Sequence, residues 1–159
     1  MKSMSMGQSE ERVVRVDLGF DVPTVGGATL LQDDQRGLLL FEAWRDGEPV
    51  GVVEVSFGAY QTRFGYPNDE ALGGHPLYRK GLEWCGMFEV LGSTWGQTIS
   101  QQNRVTFPDS DYAPNARHFI VTFKECTFEY LGGTFTATLR AGEYAAALRE
   151  AAERFFAGS

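Results

Sequence analysis

Residues 65–78 read Gly-Tyr-Pro-Asn-Asp-Glu-Ala-Leu-Gly-Gly-His-Pro-Leu-Tyr, and they hold most of the chain's candidate chemistry. An imidazole (His75), two carboxylates (Asp69 and Glu70), an amide (Asn68) and two phenols (Tyr66 and Tyr78) sit among glycines and prolines that interrupt regular structure. Loops of that composition are where a scaffold aims groups at a ligand. His75 is the natural general acid or base, because imidazole exchanges protons near neutrality. Asp69 or Glu70 would be the carboxylate that orients it. Each role has a plainer competitor. Pro76 pushes His75 towards an extended backbone, where the ring can hold the loop's shape by hydrogen-bonding a carbonyl. Adjacent carboxylates point in different directions, and Asp69 can cap the turn begun at Pro67-Asn68. The plainer role is the better supported for each.

Beyond the loop, chemistry is sparse. His118 begins an apolar stretch and falls on the face opposite Phe119. Two histidines and a carboxylate suffice for a metal, but no short ligand spacing links them, so neither a metal nor a cofactor is assigned. Cys85 lies in Glu-Trp-Cys-Gly-Met, where Glu83 supplies the wrong charge for a lowered thiol pKa. Glycine-rich phosphate loops, a serine elbow, Cys-x-x-Cys and His-Glu-x-x-His are all missing. Tyr60, Phe64, Tyr66, Tyr78, Trp84 and Phe88 cluster with Arg63, Arg79 and Lys80. Amphipathic rings on a loop suit a pocket or a protein contact, which makes Tyr66, Asn68, Tyr78, Arg79, Trp84 and His118 the candidate binding set. Their competing use is to fold the loop as a lid over the core, and that use ranks slightly ahead.

The elements that must position these groups read as an α+β domain. Alternation over Val14, Val16, Leu18 and Phe20 predicts a first strand, and residues 21–36 read as loop. Leu38–Trp44 and Val50–Phe57 flank Asp46-Gly47, a strong hairpin signal because both turn positions favour positive φ. Residues 58–82 read as a long connection, with Asn68 capping a short turn. Met87–Leu91 reads as a strand, and Thr94 with Gln97 as a capping box opening a helix to about residue 103. Phe119, Val121 and Phe123 change phase to Cys126, Phe128 and Tyr130. That shift predicts a hairpin at Lys124-Glu125, or a bulge in one long strand. Gly132-Gly133 reads as a further turn before a third strand through Phe135, Ala137 and Leu139. Tyr144, Leu148, Ala151 and Phe155 place an amphipathic helix over residues 142–157. The expected architecture is a curved, mainly antiparallel sheet with helices at its edges.

Length and composition bound the rest. A chain of 159 residues with 43% apolar residues fits a single domain over residues 12–159, after a mobile tail at 1–11. Its 14 basic and 21 acidic side chains are spread along the whole length and leave no basic patch, which argues against nucleic-acid or anionic-membrane binding. No apolar run reaches signal-peptide or membrane-span length. Cys85 and Cys126 read as buried, reduced thiols, and the cytoplasm is the expected compartment.

Residues 65–78, with Asn103-Arg104-Val105 and Arg-His-Phe-Ile-Val-Thr-Phe-Lys-Glu-Cys-Thr-Phe-Glu at 117–129, resemble a group of small bacterial proteins that has no established activity. The resemblance covers roughly residues 60–131. It implies a bacterial soluble protein and assigns no catalytic residue. Taken together, the residues favour a binding domain whose 60–84 loop meets a small-molecule ligand or a protein partner. An alternative is a small acid–base or hydrolytic enzyme with His75 as base and Asp69 or Glu70 orienting it. A third is a scaffold in which the loop is a homodimer contact.

Overall fold

The computed structural model describes residues 10–110 and 116–158. Its strands are β1 (Arg12–Arg15), β2 (Ala28–Gln32), β3 (Gly37–Arg45), β4 (Glu48–Gly65), β5 (Gly86–Leu91), β6 (Arg117–Thr122) and β7 (Thr127–Arg140). The helices are α1 (Thr94–Thr106) and α2 (Tyr144–Ala157), and short 3-10 turns occupy Leu72–Gly74 and Tyr78–Lys80. All seven strands form one antiparallel sheet in the order β1-β5-β6-β7-β4-β3-β2. The architecture is therefore α+β, as the sequence predicts.

Alternation along the strands gives the sheet two covered faces. One face stacks Leu39, Phe41, Val53, Val55, Phe57, Phe119, Val121, Phe128 and Tyr130 into the largest core cluster. Each such ring or branched side chain contributes about 1.5–3 kcal/mol when fully buried. A strap over residues 16–22 crosses this face. Val16 N–H donates to the Met87 carbonyl at one end, and Asp21 bridges Trp44 at the other. Val16, Leu18, Phe20 and Val22 pack beneath it. The other face is covered in three pieces. Helix α2 lays Ala147 and Ala151 on Leu40 and Val52, and α1 lays Trp95 and Ile99 on Leu131. Residues 66–84 drive Leu72, Leu77 and Leu82 onto Phe88, Val90 and Ile120.

Both predicted hairpins form. Asp46 and Gly47 take φ of 53° and 80° at the β3–β4 turn. At the β6–β7 turn Val121 pairs with Phe128, and Phe123 N–H donates to the Cys126 carbonyl, so this is a hairpin and not a bulge. Elsewhere the sequence reading needs correction. Gly132-Gly133 is no turn, because β7 runs straight through it and pairs with a β4 that continues to Gly65. A Cβ at Gly132 would collide with the Gly58 carbonyl, so this glycine permits two long strands to approach closely where the register shifts. Residues 28–32, read as loop, form edge strand β2. The first strand stops at Arg15, four residues in all, and the apolar positions after it belong to the strap. Helix α1 is capped by Ser93, whose Oγ accepts from Gly96 N–H, and it extends to Thr106. The tail expected at residues 1–11 lies outside the described residues except for residues 10 and 11.

Candidate functional site

The site grows from three adjacent strands on the helix-bearing face. Arg63 on β4 stands directly opposite Glu129 on β7. Ile120 on β6 pairs with Glu129 from the other side, so His118, two residues along, is Glu129's diagonal neighbour on the same face. His118 Nε2 lies 2.9 Å from Glu129 Oε2. The second imidazole arrives from the 66–84 segment. Thr127 Oγ1–H donates to the Pro67 carbonyl and Asp69 N–H to the Lys124 carbonyl, which pins the segment to the β6–β7 hairpin. The first 3-10 turn then ends at His75, whose extended backbone is the one its following proline demands. With Leu72 and Leu77 buried on either side, His75 Nε2 comes to 2.7 Å from Glu129 Oε1.

Glu129 thus bridges two histidines, one on each oxygen. Its side chain is only 7% exposed. Burial alone would push its pKa up, but hydrogen bonds from His118 and His75, together with their charge, outweigh that and bring it down to about 2. The carboxylate is ionised. Leu77 N–H donates to His75 Nδ1 at 3.1 Å, so that nitrogen is an acceptor and the ring proton of the neutral form belongs on Nε2. His118 Nδ1 lies 2.8 Å from Ser93 Oγ, whose hydroxyl donates to it while His118 Nε2–H donates to Glu129. Every imidazole nitrogen of the pair has a partner, and a fully satisfied buried network of this kind is rigid.

Around the bridge lies a cleft of about 260 Å³, lined in part by Arg63, His75, Leu77, Thr94, Trp95, Thr98 and Glu11. The Arg63 guanidinium stacks 3.9 Å from the Trp95 ring centroid. Trp95 is fixed by its indole N–H on Gln61 Oε1 and by an edge-to-face contact with His118. Glu11 closes one end, accepting from Thr94 N–H and Thr94 Oγ1–H at the start of α1 and pairing with Lys80. Partial burial works against its ionisation, but these bonds hold its pKa below the usual carboxylate range.

His75 and His118 are brought together. Asp69 and Glu70 do not join them. Asp69 Oδ1 accepts from Glu70 N–H and Asn68 Oδ1 from Ala71 N–H, the local capping that the sequence favoured. The carboxylate orienting His75 is therefore Glu129. Tyr66, Tyr78, Arg79 and Trp84 do not line the cleft. Tyr66, Tyr78 and Trp84 are large exposed rings, so leucines and not aromatics fasten the segment to the sheet. Cys85 and Cys126 are free and half-buried, and burial raises both thiol pKa values. Cys85 Sγ–H donates to the Val22 carbonyl, which is an inert arrangement. Among the described residues no cluster of His, Cys, Asp and Glu is arranged to hold a metal ion, and no helix is long and apolar enough to cross a membrane.

Sequence reasoning passed over Glu129, Trp95, Ser93 and Glu11, and it placed Arg63 only among the aromatics. One signal pointed to Glu129. The runs Phe119–Phe123 and Phe128–Leu131 are almost continuously apolar, as strands covered on both faces are. A glutamate inside such a run must be buried and partnered. No protein-family model, curated protein or solved structure matches the chain.

Proposed function

We propose that the protein is a small-molecule binding domain, and that its ligand is a small carboxylate held in the cleft beside the His75–Glu129–His118 bridge. The observation that carries this reading is Arg63. Its guanidinium sits over the Trp95 ring, and among the described residues its one ionic contact is a loose 4.0 Å to Glu129. Among the described residues it makes no hydrogen bond, so a planar fork of five donors stands ready at the cleft. That geometry matches a carboxylate. The two carboxylates of the lining are already engaged, Glu11 by Lys80 and Thr94 and Glu129 by the two histidines, which leaves the Arg63 fork for a ligand. The bridge beneath acts as a rigid floor, since both imidazoles are already spent on Glu129, Leu77 and Ser93. An NMR titration with a panel of small mono- and dicarboxylic acids tests this. A binder should shift Arg63, His75–Leu77 and Thr94–Thr98 saturably, and Arg63→Gln should weaken it at least tenfold, on the order of the 1.5–3 kcal/mol of a charge-assisted bond. A panel with no binder, or binders indifferent to Arg63→Gln, would count against the reading.

A second reading rests on a separate contact. Ser93 Oγ, His118 and Glu129 form a hydroxyl–imidazole–carboxylate chain, the order used in acyl transfer, here with the ring nitrogens exchanged. It ranks second because Ser93 Oγ also caps α1 and does not line the cleft. The acid–base variant with His75 as base needs that ring to release Leu77 or Glu129 first. Covalent labelling of Ser93 by a fluorophosphonate would put hydrolysis ahead of binding.

A further inference from the structure

A second polar cleft, of about 270 Å³, lies where α2 meets β3, β4 and β7. Its floor is Glu54, a buried glutamate on β4 that faces Thr138 across the β4–β7 pair. Arg154 from the last turn of α2 pairs with Glu54 Oε1, and Arg140 from the end of β7 lies 3.4 Å from Oε2. A third guanidinium, Arg36, completes the rim. It stacks 4.5 Å from the Phe155 ring centroid, donates to the Phe155 carbonyl and pairs with Asp33.

One carboxylate balances the charge of one guanidinium, and here two meet on Glu54. Among the described residues Arg140 and Arg154 have no partner besides Glu54, and each side chain is 47% exposed, so both keep donors that Glu54 does not use. The result is a positive spot on a chain of net charge −7. Ser56 and Thr138 bring hydroxyls to the same cleft. Glu54 offsets only one of the two guanidinium charges that meet on it, and the remaining positive charge in the cleft attracts an anion. A carboxylate ligand would engage one fork. A phosphate group presents three terminal oxygens and up to two charges, enough to satisfy several forks and the hydroxyls together.

We infer that this cleft is a phosphate-binding site, taking inorganic phosphate or the phosphate group of a small monoester through Arg36, Arg140 and Arg154. Glu54 is the positioning residue that holds two of the forks. The inference does not rest on the carboxylate cleft, which lies on the other part of this face.

The test is an NMR titration of the full chain with inorganic phosphate, and in parallel with methyl phosphate, at constant ionic strength in chloride. Saturable shifts should appear around residues 36–38, 54–56, 138–140 and 151–155. Arg140→Gln leaves Glu54 paired with Arg154, so it should fold normally and raise the dissociation constant at least tenfold. Arg140→Lys keeps the charge but loses the fork, and should fall between. Arg63→Gln, which lies outside this cleft, should leave phosphate binding here unchanged. Tighter binding of methyl phosphate identifies the monoester as the preferred source, and tighter inorganic phosphate identifies the free ion. Shifts that fail to saturate, that scatter over the surface, or that survive Arg140→Gln would overturn the site.

Discussion

Replacing Glu129 with glutamine removes the charge at the centre of the histidine bridge, and its effect can be worked out from the geometry. The carboxyl pKa falls from 4.5 to about 2 in the folded protein. A depressed folded pKa contributes stability that is fully present above the unfolded value. That stability is lost as pH falls through the folded value. The window is therefore roughly pH 4.5 to 2. At about 1.4 kcal/mol for each tenfold step, the contribution is on the order of 3 kcal/mol. Solvent screening takes little from it, since the side chain is 7% exposed. Glutamine also has an NH2 that meets one histidine donor face to face, which costs about 1–3 kcal/mol at neutral pH for the group left unpaired. The assay is urea denaturation across pH 2 to 7 for both proteins. Other carboxylates, including Glu11 and Asp33, titrate in both and cancel in the difference. The wild type should be the more stable at pH 6, and its lead should shrink by about 3 kcal/mol on acidification through that window. A lead that stays constant down to pH 2 would refute the claim that Glu129 is held ionised by the two histidines.

Two further substitutions test the sheet. Gly47→Val places a β-branched residue at φ of 80° in otherwise open space, so its cost is conformational, about 1–3 kcal/mol by urea denaturation. An unchanged midpoint would contradict the β3–β4 turn. Gly132→Ala drives a methyl into the Gly58 carbonyl between paired strands and should cost about 2 kcal/mol or more. A neutral result would show that β4 and β7 do not pass each other as described.

The parts of the fold legible in the sequence were those written in local chemistry. Asp46-Gly47 announces a turn because few residues accept positive φ, and the phase change at Lys124-Glu125 announces a reversal because a strand cannot switch faces. The spacing of Tyr144, Leu148, Ala151 and Phe155 announces α2. What escaped was set by partners distant in sequence. Gly132-Gly133 has turn composition, but the use of Gly132 is decided by Gly58, more than seventy positions away in the chain, against which it packs. Ala28–Gln32 carries no strong alternation and becomes a strand by pairing with β3. The site divides in the same way. His75 and His118 are conspicuous by type. Their joining carboxylate is a single glutamate in the middle of β7, while Asp69 and Glu70, adjacent in the loop, turn to local backbone amides. Proximity in sequence suggested the wrong carboxylate, and strand register supplied the right one.

The most direct test of the bridge is a long-range proton–nitrogen NMR spectrum of the two imidazoles. In the neutral rings both protons should sit on Nε2, held in slow exchange by Glu129, with Nδ1 of His75 accepting from Leu77 and Nδ1 of His118 accepting from Ser93. Glu129→Gln should abolish the slow exchange of at least one of them. A proton on Nδ1 of either ring, or two rings averaging rapidly between tautomers, would contradict a carboxylate-bridged pair and remove the rigid floor on which the proposed carboxylate site rests.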